Sequence, residues 1–168
     1  KATGPAFSAG HDLRETRRRN DEDQSDWQAR IDQLLRDCAA MMTGILHAPK
    51  PIIASVQGIA SAAGCQLVSA CDLAIASEDA TFCTPGVNIG AFCTTPLVGV
   101  GRNLSRKHAL EMALTGDQFD AATAERFGLI NRSVPASKLE QATQDLAAKI
   151  ASRSAESIAR GKSAFYRQ

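Results

Sequence analysis

The sequence predicts an α/β chain, and three observations carry that prediction. Residues 50–72, KPIIASVQGIASAAGCQLVSACD, run from a strand-like apolar stretch (51–56) through a small-residue turn into a helical pattern with Leu67, Val68 and Cys71. Residues 72–76 (DLAIA) follow as a second apolar run, so the order is strand, helix, strand. That order calls for a right-handed crossover and a parallel pair. Residues 26–47 place Trp27, Ile31, Leu34, Leu35, Cys38, Met42, Ile45 and Leu46 at steps of three and four, the period of a long amphipathic helix.

From the start of the chain, residues 1–5 read as a turn and 6–8 as a short strand closed by Gly10, with Asp12 suited to cap a helix. Backbone N–H groups after Ala9-Gly10 could face a ligand, but taken alone these residues read better as an ordinary turn. Residues 14–25 (RETRRRNDEDQS) carry offsetting charges and read as a solvated, mobile surface segment rather than a phosphate clamp. Ser25 or Asp26 can cap the long helix, and Pro49 and Pro51 stop it. His47, at its C-terminal end, suits the helix dipole. After the turn at Ser77-Glu78-Asp79, residues 80–84 read as a third strand. Residues 85–96 (PGVNIGAFCTTP) form an uncharged loop punctuated by Gly and Pro, suited to lining a pocket. A short helical piece at 97–101 precedes a helix capped by Ser105 and ended at Thr115-Gly116. Asp120 caps a helix at 121–127 closed by Gly128, and 129–134 read as a last strand. Ser137 opens an amphipathic helix with Leu139, Ala142, Leu146 and Ile150 on one face, and 155–166 form a final helix.

The totals exclude several classes. With 168 residues and 44% hydrophobic content, the chain suits one globular domain with a sizeable core. A net charge of +1 argues against nucleic acid or an acidic membrane as the main partner. No apolar run approaches the roughly 18 residues of a membrane span, and residues 1–10 lack the apolar core of a signal peptide. The five cysteines (Cys38, Cys65, Cys71, Cys83, Cys93) form no CxxC pair and read as free thiols in a reducing compartment. That fits the cytoplasm of a bacterium or the mitochondrial matrix of a eukaryote. His11, His47 and His108 have no metal-ligand spacing, so no metal is expected.

The small-residue stretch before Leu67 bears most on chemistry. A helix start presents unpaired N–H groups and the positive end of a dipole, and small side chains let a guest approach them. The natural guest is an anion or a developing oxyanion. A turn packed with alanines for close helix–strand contact accounts for the same residues.

Five blocks favour the oxyanion reading: AFSAGHDL (6–13), the run from KPIIASVQG to CDLAIAS (50–77), ATFCTPGVNIG (80–90), ALEMALTGDQF (109–119) and AERFGLINRSVP (124–135). In that order they resemble the crotonase superfamily, also called the enoyl-CoA hydratase/isomerase family. Residues 62–67 (AAGCQL) and 84–88 (TPGVN) resemble most its branch of hydratase-domain-containing proteins. The resemblance implies a crotonase-like spiral of ββα units with C-terminal helices, here truncated at both ends. Residues 1–135 would be part of the spiral core and 136–168 part of the C-terminal helical segment. It implies an acyl-CoA thioester as substrate or ligand, no tightly bound cofactor, a role in fatty acid metabolism, and assembly as a homotrimer or dimer of trimers. Two backbone N–H groups, those of His11 and Ala63, would form the oxyanion hole. Ala6, Ser8, Ala9, His11, Asp12 and Leu13 would run beside the CoA.

Two departures stand out. Hydratases of this family hold two glutamates over the double bond; those positions are Gln66 and Gly86 here. An amide does not exchange protons near neutral pH, and each lost acid–base group costs about 10²–10⁴ in rate. Standard two-glutamate hydration is therefore not expected. Substitutes are Thr94 as a relocated group, Asn88 or Cys93, or an anion or water held at Gly86. Asp72 reads as a buried structural carboxylate, Glu78 and Asp79 as a solvated turn, and Glu111 as exposed. The chain is expected to be a hydratase-type enzyme with unusual acid–base groups; the alternative is a non-catalytic acyl-CoA binder or sensor, or a crotonase of different reaction type that uses another acid–base group or a bound anion.

Overall fold

The computed structural model describes residues 2–167; Lys1 and Gln168, on which the expected truncation falls, lie outside the described residues. The chain opens with β1 (Ala6–Ser8) and the single turn α1 (Leu13–Thr16), capped by Asp12. The segment after α1 lies on the surface as expected, but it is strapped down. Trp27 Nε1 donates to Thr16 O at 2.9 Å. The Arg30 guanidinium bonds Glu22 at 2.7 Å, Arg17 O at 3.0 Å, and also Glu15 O. The long helix α2 (Gln24–His47) starts one turn earlier than its apolar stripe. Its cap is Asp23, not Ser25 or Asp26, because the Asp23 side chain reaches Asp26 N.

The organising stretch is richer than a turn. After β2 (Ile53–Val56), Gln57-Gly58 makes a corner and residues 59–61 form a strand, β3 (Ile59–Ser61), before α3 (Ala63–Ala70). The small residues 59–62 read as a turn because they have weak strand propensity; pairing on both sides makes β3 a strand. The unit repeats as β4 (Leu73–Ser77), the corner at Glu78-Asp79 and β5 (Thr81–Cys83). Each unit sends its first strand to one sheet and its second to the other. β2 and β4 pair in parallel with Ile53 opposite Leu73, and β3 lies parallel between β1 and β5. The expected parallel pair is present.

The loop after β5 is more ordered than its composition suggests. A 3₁₀ turn covers Pro85–Ile89, and α4 (Thr94–Asn103) starts three residues before the expected helical piece, with Pro96 tolerated in its first turn. The helix α5 (Arg106–Thr115) is capped by Ser105 and closed at left-handed Gly116. A two-residue strand, β6 (Phe119–Asp120), pairs antiparallel with β5 and was not apparent in the sequence. Asp120 then caps α6 (Ala121–Phe127), and β7 (Arg132–Val134) extends the β2–β4 sheet. Only 132–134 of the expected strand pair; Leu129 and Ile130 instead enter the core. The helices α7 (Leu139–Ala151) and α8 (Ala155–Phe165) close the chain.

The core lies between the sheets, α3 and α5. Val56, Ala60, Cys65, Ile75, Phe82, Val100 and Met112 are fully buried. Its alanines let the units stack closely, and each buried CH₂ contributes about 0.8 kcal/mol. The stripe of α2 behaves differently. Met42 is its one buried residue among those described, while Leu35 and Met41 stay 41% and 50% exposed. That face lines cavities instead of the core.

Candidate functional site

The site forms where the small residues press β1, α3 and the 9–11 turn together. Ala62 is the one non-glycine described with positive φ, 51°. That strain turns the chain sharply into α3, whose start has no side-chain cap. Ala62 N donates to Cys83 O at 3.0 Å, and the first N–H to re-enter the helix ladder is that of Gln66, to Ala62 O. The N–H groups of Ala63, Gly64 and Cys65 precede it at the positive end of the helix.

Gly10 reaches the same point from the other side, at φ +88°; a Cβ there would lie 3.1 Å from Ala63 N and 3.1 Å from Ser61 O. A Cβ at Gly64 would overlap Ser8 O. The Gly10–His11 backbone and the start of α3 are therefore neighbours, with room for little but each other and a small guest. Neither the N–H of His11 nor that of Ala63 has a hydrogen-bond acceptor among the described residues. Both residues border a hollow of about 330 Å³ lined also by Ser8, Leu67 and, from α2, Cys38, Asp37 and Met42.

Cys38 and Met42 also belong to the wall of a larger, mostly apolar cavity of about 540 Å³. Leu35, Leu46, Val98 and Phe165 form its sides, and Gln66 faces it from α3. Gln66 Oε1 is buried and has no hydrogen-bond partner among the described residues. The sequence reading missed this contribution of α2 and α8. Its signal was present: α2 carries a long apolar stripe, but a stripe does not reveal whether it meets a core or a cavity.

Asp72 and Tyr166 of the cavity wall belong to a charged cluster. Asp72 Oδ2 accepts from Lys162 Nζ and from Ile52 N, both at 2.7 Å, and its Oδ1 accepts from Tyr166 Oη at 3.0 Å. Lys162 Nζ also donates to Ile45 O at 2.9 Å and Lys50 O at 3.2 Å, satisfying a carbonyl in the last turn of α2. Burial, with the Asp72 carboxylate beside it, pushes the Tyr166 phenol up to about 12. Burial pushes the Cys71 thiol up to about 11. Asp72 thus has the structural role read from the sequence.

Of the other expected positions, Ser8 shares the wall of the smaller hollow. Gly86 is buried, its N–H meets Cys93 Sγ at 3.3 Å, and a Cβ there would lie 3.0 Å from both Cys93 N and Sγ. Its side-chain direction is therefore filled by the 92–93 backbone rather than open to an anion. Thr94 is exposed at the start of α4, and it is Thr95 that borders the cavity. Asn88 Nδ2 donates to Gly116 O at 3.4 Å. Ala6 and Ser8 lie on β1, Ala9 and Leu13 are exposed, and Asp12 binds Arg14 at 2.6 Å. Among the described residues, no group of three His, Cys, Asp or Glu side chains is placed to hold a metal ion. No helix among them is long and apolar enough to cross a membrane.

This geometry has close relatives. The family model for enoyl-CoA hydratase/isomerase matches residues 2–168. The chain belongs to the enoyl-CoA hydratase/isomerase family. Mouse enoyl-CoA hydratase domain-containing protein 3, described as mitochondrial, is 48% identical over 167 residues, 99% of this chain and 54% of that protein. The crystal structure of human enoyl-CoA hydratase domain-containing protein 3 superposes with a TM-score of 0.89 at 44% identity, covering 98% of this chain and 63% of that one. That of an enoyl-CoA hydratase from Mycobacterium smegmatis gives 0.90 at 42%, covering 98% and 62%. The crotonase fold is thus established, and with it the branch suggested by residues 62–67 and 84–88. The chain spans about half the length of the curated relatives it matches.

Proposed function

We propose that this protein binds acyl-CoA thioesters, seating the thioester oxygen between the N–H groups of His11 and Ala63. The observation that carries the reading is the pair of unsatisfied backbone donors brought together by Gly10 and strained Ala62. Preorganised donors of this kind contribute about 10²–10³ to the rate of a reaction that develops charge on the oxygen. Residues 6–13 would run along the CoA, and the apolar cavity beyond Cys38 and Met42 would take the acyl chain. The relatives' descriptions support a mitochondrial setting in eukaryotes and a place in acyl-CoA metabolism.

Hydration by two carboxylates is not part of this reading. Gln66 can orient a water but not ionise, and Gly86 has no side chain and tight surroundings, with Cys93 3.0 Å from where a Cβ would stand. A non-catalytic binder is the second reading, favoured by those two positions. Titration of the full-length protein with crotonyl-CoA, following binding heat and enoyl absorbance together, separates them. Binding is expected, with hydration far below ordinary hydratase rates. Hydration at ordinary rates would overturn the argument from Gln66 and Gly86, and no binding would overturn the thioester reading.

A further inference from the structure

We propose that the acyl group taken by this site carries a second carboxylate at its far end, held by Arg102. This rests on the thioester reading above and adds to it the class of acyl chain: a dicarboxylic acid bound as its mono-CoA thioester.

Arg102 lies in the last turn of α4 and borders the 540 Å³ cavity. Its guanidinium has no ion-pair partner among the described residues. Asp72 is the one carboxylate on the described wall of that cavity, and it is already engaged. Its two oxygens accept from Lys162 Nζ, Ile52 N and Tyr166 Oη. Burial raises the Cys38, Cys71 and Tyr166 groups of the same wall, which keeps them neutral near pH 7. The cavity therefore presents one uncompensated positive charge beside apolar walls. A plain alkyl chain would fill the apolar space and leave that charge to solvent. A chain ending in a carboxylate would fill the same space and meet the guanidinium fork, which suits carboxylate geometry.

The docking of α4 on α3 sets the length of such a chain. Asn103 Nδ2, next to Arg102, donates to Ser69 O at 3.1 Å. Gly99 packs so closely there that a Cβ on it would lie 2.3 Å from Ser69 Oγ. Ser69 follows Ala63 on α3 by about 9 Å of helix, at about 1.5 Å per residue. Arg102 thus stands roughly two turns of α3 beyond the N–H assigned to the thioester oxygen. A diacid of about six carbons, with the hydrogen bond at its end, spans that distance. A cation in the last turn of a helix also suits the helix dipole, but that role is indifferent to the acyl chain.

The experiment is calorimetric titration of the full-length protein with adipyl-CoA and with hexanoyl-CoA, which have the same chain length and differ only in the terminal carboxylate. Adipyl-CoA should bind at least about tenfold tighter, the effect of one charge-assisted hydrogen bond. The preference should shrink with added salt. Arg102→Met should lose the preference and Arg102→Lys should keep part of it. Hexanoyl-CoA, titrated into the same preparations, reports that the cavity is intact. Equal affinity for the two thioesters in wild type overturns the inference and leaves the thioester reading standing. So does a preference undiminished in Arg102→Met, or loss of both ligands in that variant, which would make the arginine a support of the cavity wall. Failure of wild type to bind either thioester would overturn the thioester reading itself, and this inference with it.

Discussion

Lys162 and Asp72 show how much a single buried pair holds. Their side chains are only 7% and 13% exposed. Together they join α8, the end of α2 and the start of β4. Removing one partner of a buried pair typically costs about 3–5 kcal/mol, because the other charge is left uncompensated. Lys162→Met is expected to destabilise the protein by that amount in urea unfolding. Arg160→Met, at an exposed pair two residues away, should cost under about 1 kcal/mol. Ala63 gives the second residue-level prediction. Proline there removes one donor but is tolerated at the first position of a helix. Ala63→Pro is expected to weaken crotonyl-CoA binding by at least about tenfold while leaving free CoA nearly unaffected, since only the thioester oxygen needs that N–H. Equal loss of both would sink the assignment. Gly86→Glu is expected to destabilise rather than restore hydration, because Cys93 occupies the space; a thermal melt and a crotonyl-CoA assay of the same preparation check both halves.

At the scale of elements, pH should loosen two regions in opposite directions. The Arg30 guanidinium holds the Glu22 carboxyl down at about 2, from 4.5. Its contribution is therefore present above 4.5 and lost as pH falls toward 2. The segment joining α1 to α2 should lose amide protection on acidification before the sheets do, measured by hydrogen exchange, and Glu22→Gln should remove that dependence. The α8 anchor responds at the alkaline end. Tyr166 is raised from 10 to about 12, so its contribution is complete below 10 and fades as pH rises through 12. Cys71, raised from 9 to about 11, acts in the same direction. Stability should therefore fall between pH 9 and 12, more gently in Tyr166→Phe.

At the scale of the whole molecule, apolar surface remains uncovered. Leu110 and Leu114 lie one turn apart on α5, with Leu114 63% exposed; Ile89, on the 3₁₀ turn packed against α5, is 64% exposed. Copies of the chain are expected to cover such surface, in keeping with the trimer or dimer of trimers implied by the family resemblance. Sedimentation of the full-length protein should give a trimer or a multiple of it, and Leu114→Lys should shift it toward the monomer.

Much of this architecture was legible in the residues alone. Period and punctuation marked α2, α5 and α6, because caps such as Ser105 and Asp120 and stops such as Gly116 and Gly128 act within a few residues of themselves. The strand–helix–strand order was enough to give the parallel pairing of β2 and β4. The family blocks pointed to His11, Ala63, Gln66 and Gly86 because each lies in a short contiguous motif. What only the tertiary structure decided depends on partners distant in sequence. β3 and β6 are strands because β1 and β5 pair with them, not through their own propensity. The stripe of α2 lines cavities because α3, α4 and α8 stop short of filling the space beneath it. The closed surroundings of Gly86 and the unpaired guanidinium of Arg102 likewise arise from which side chains the fold brings near them.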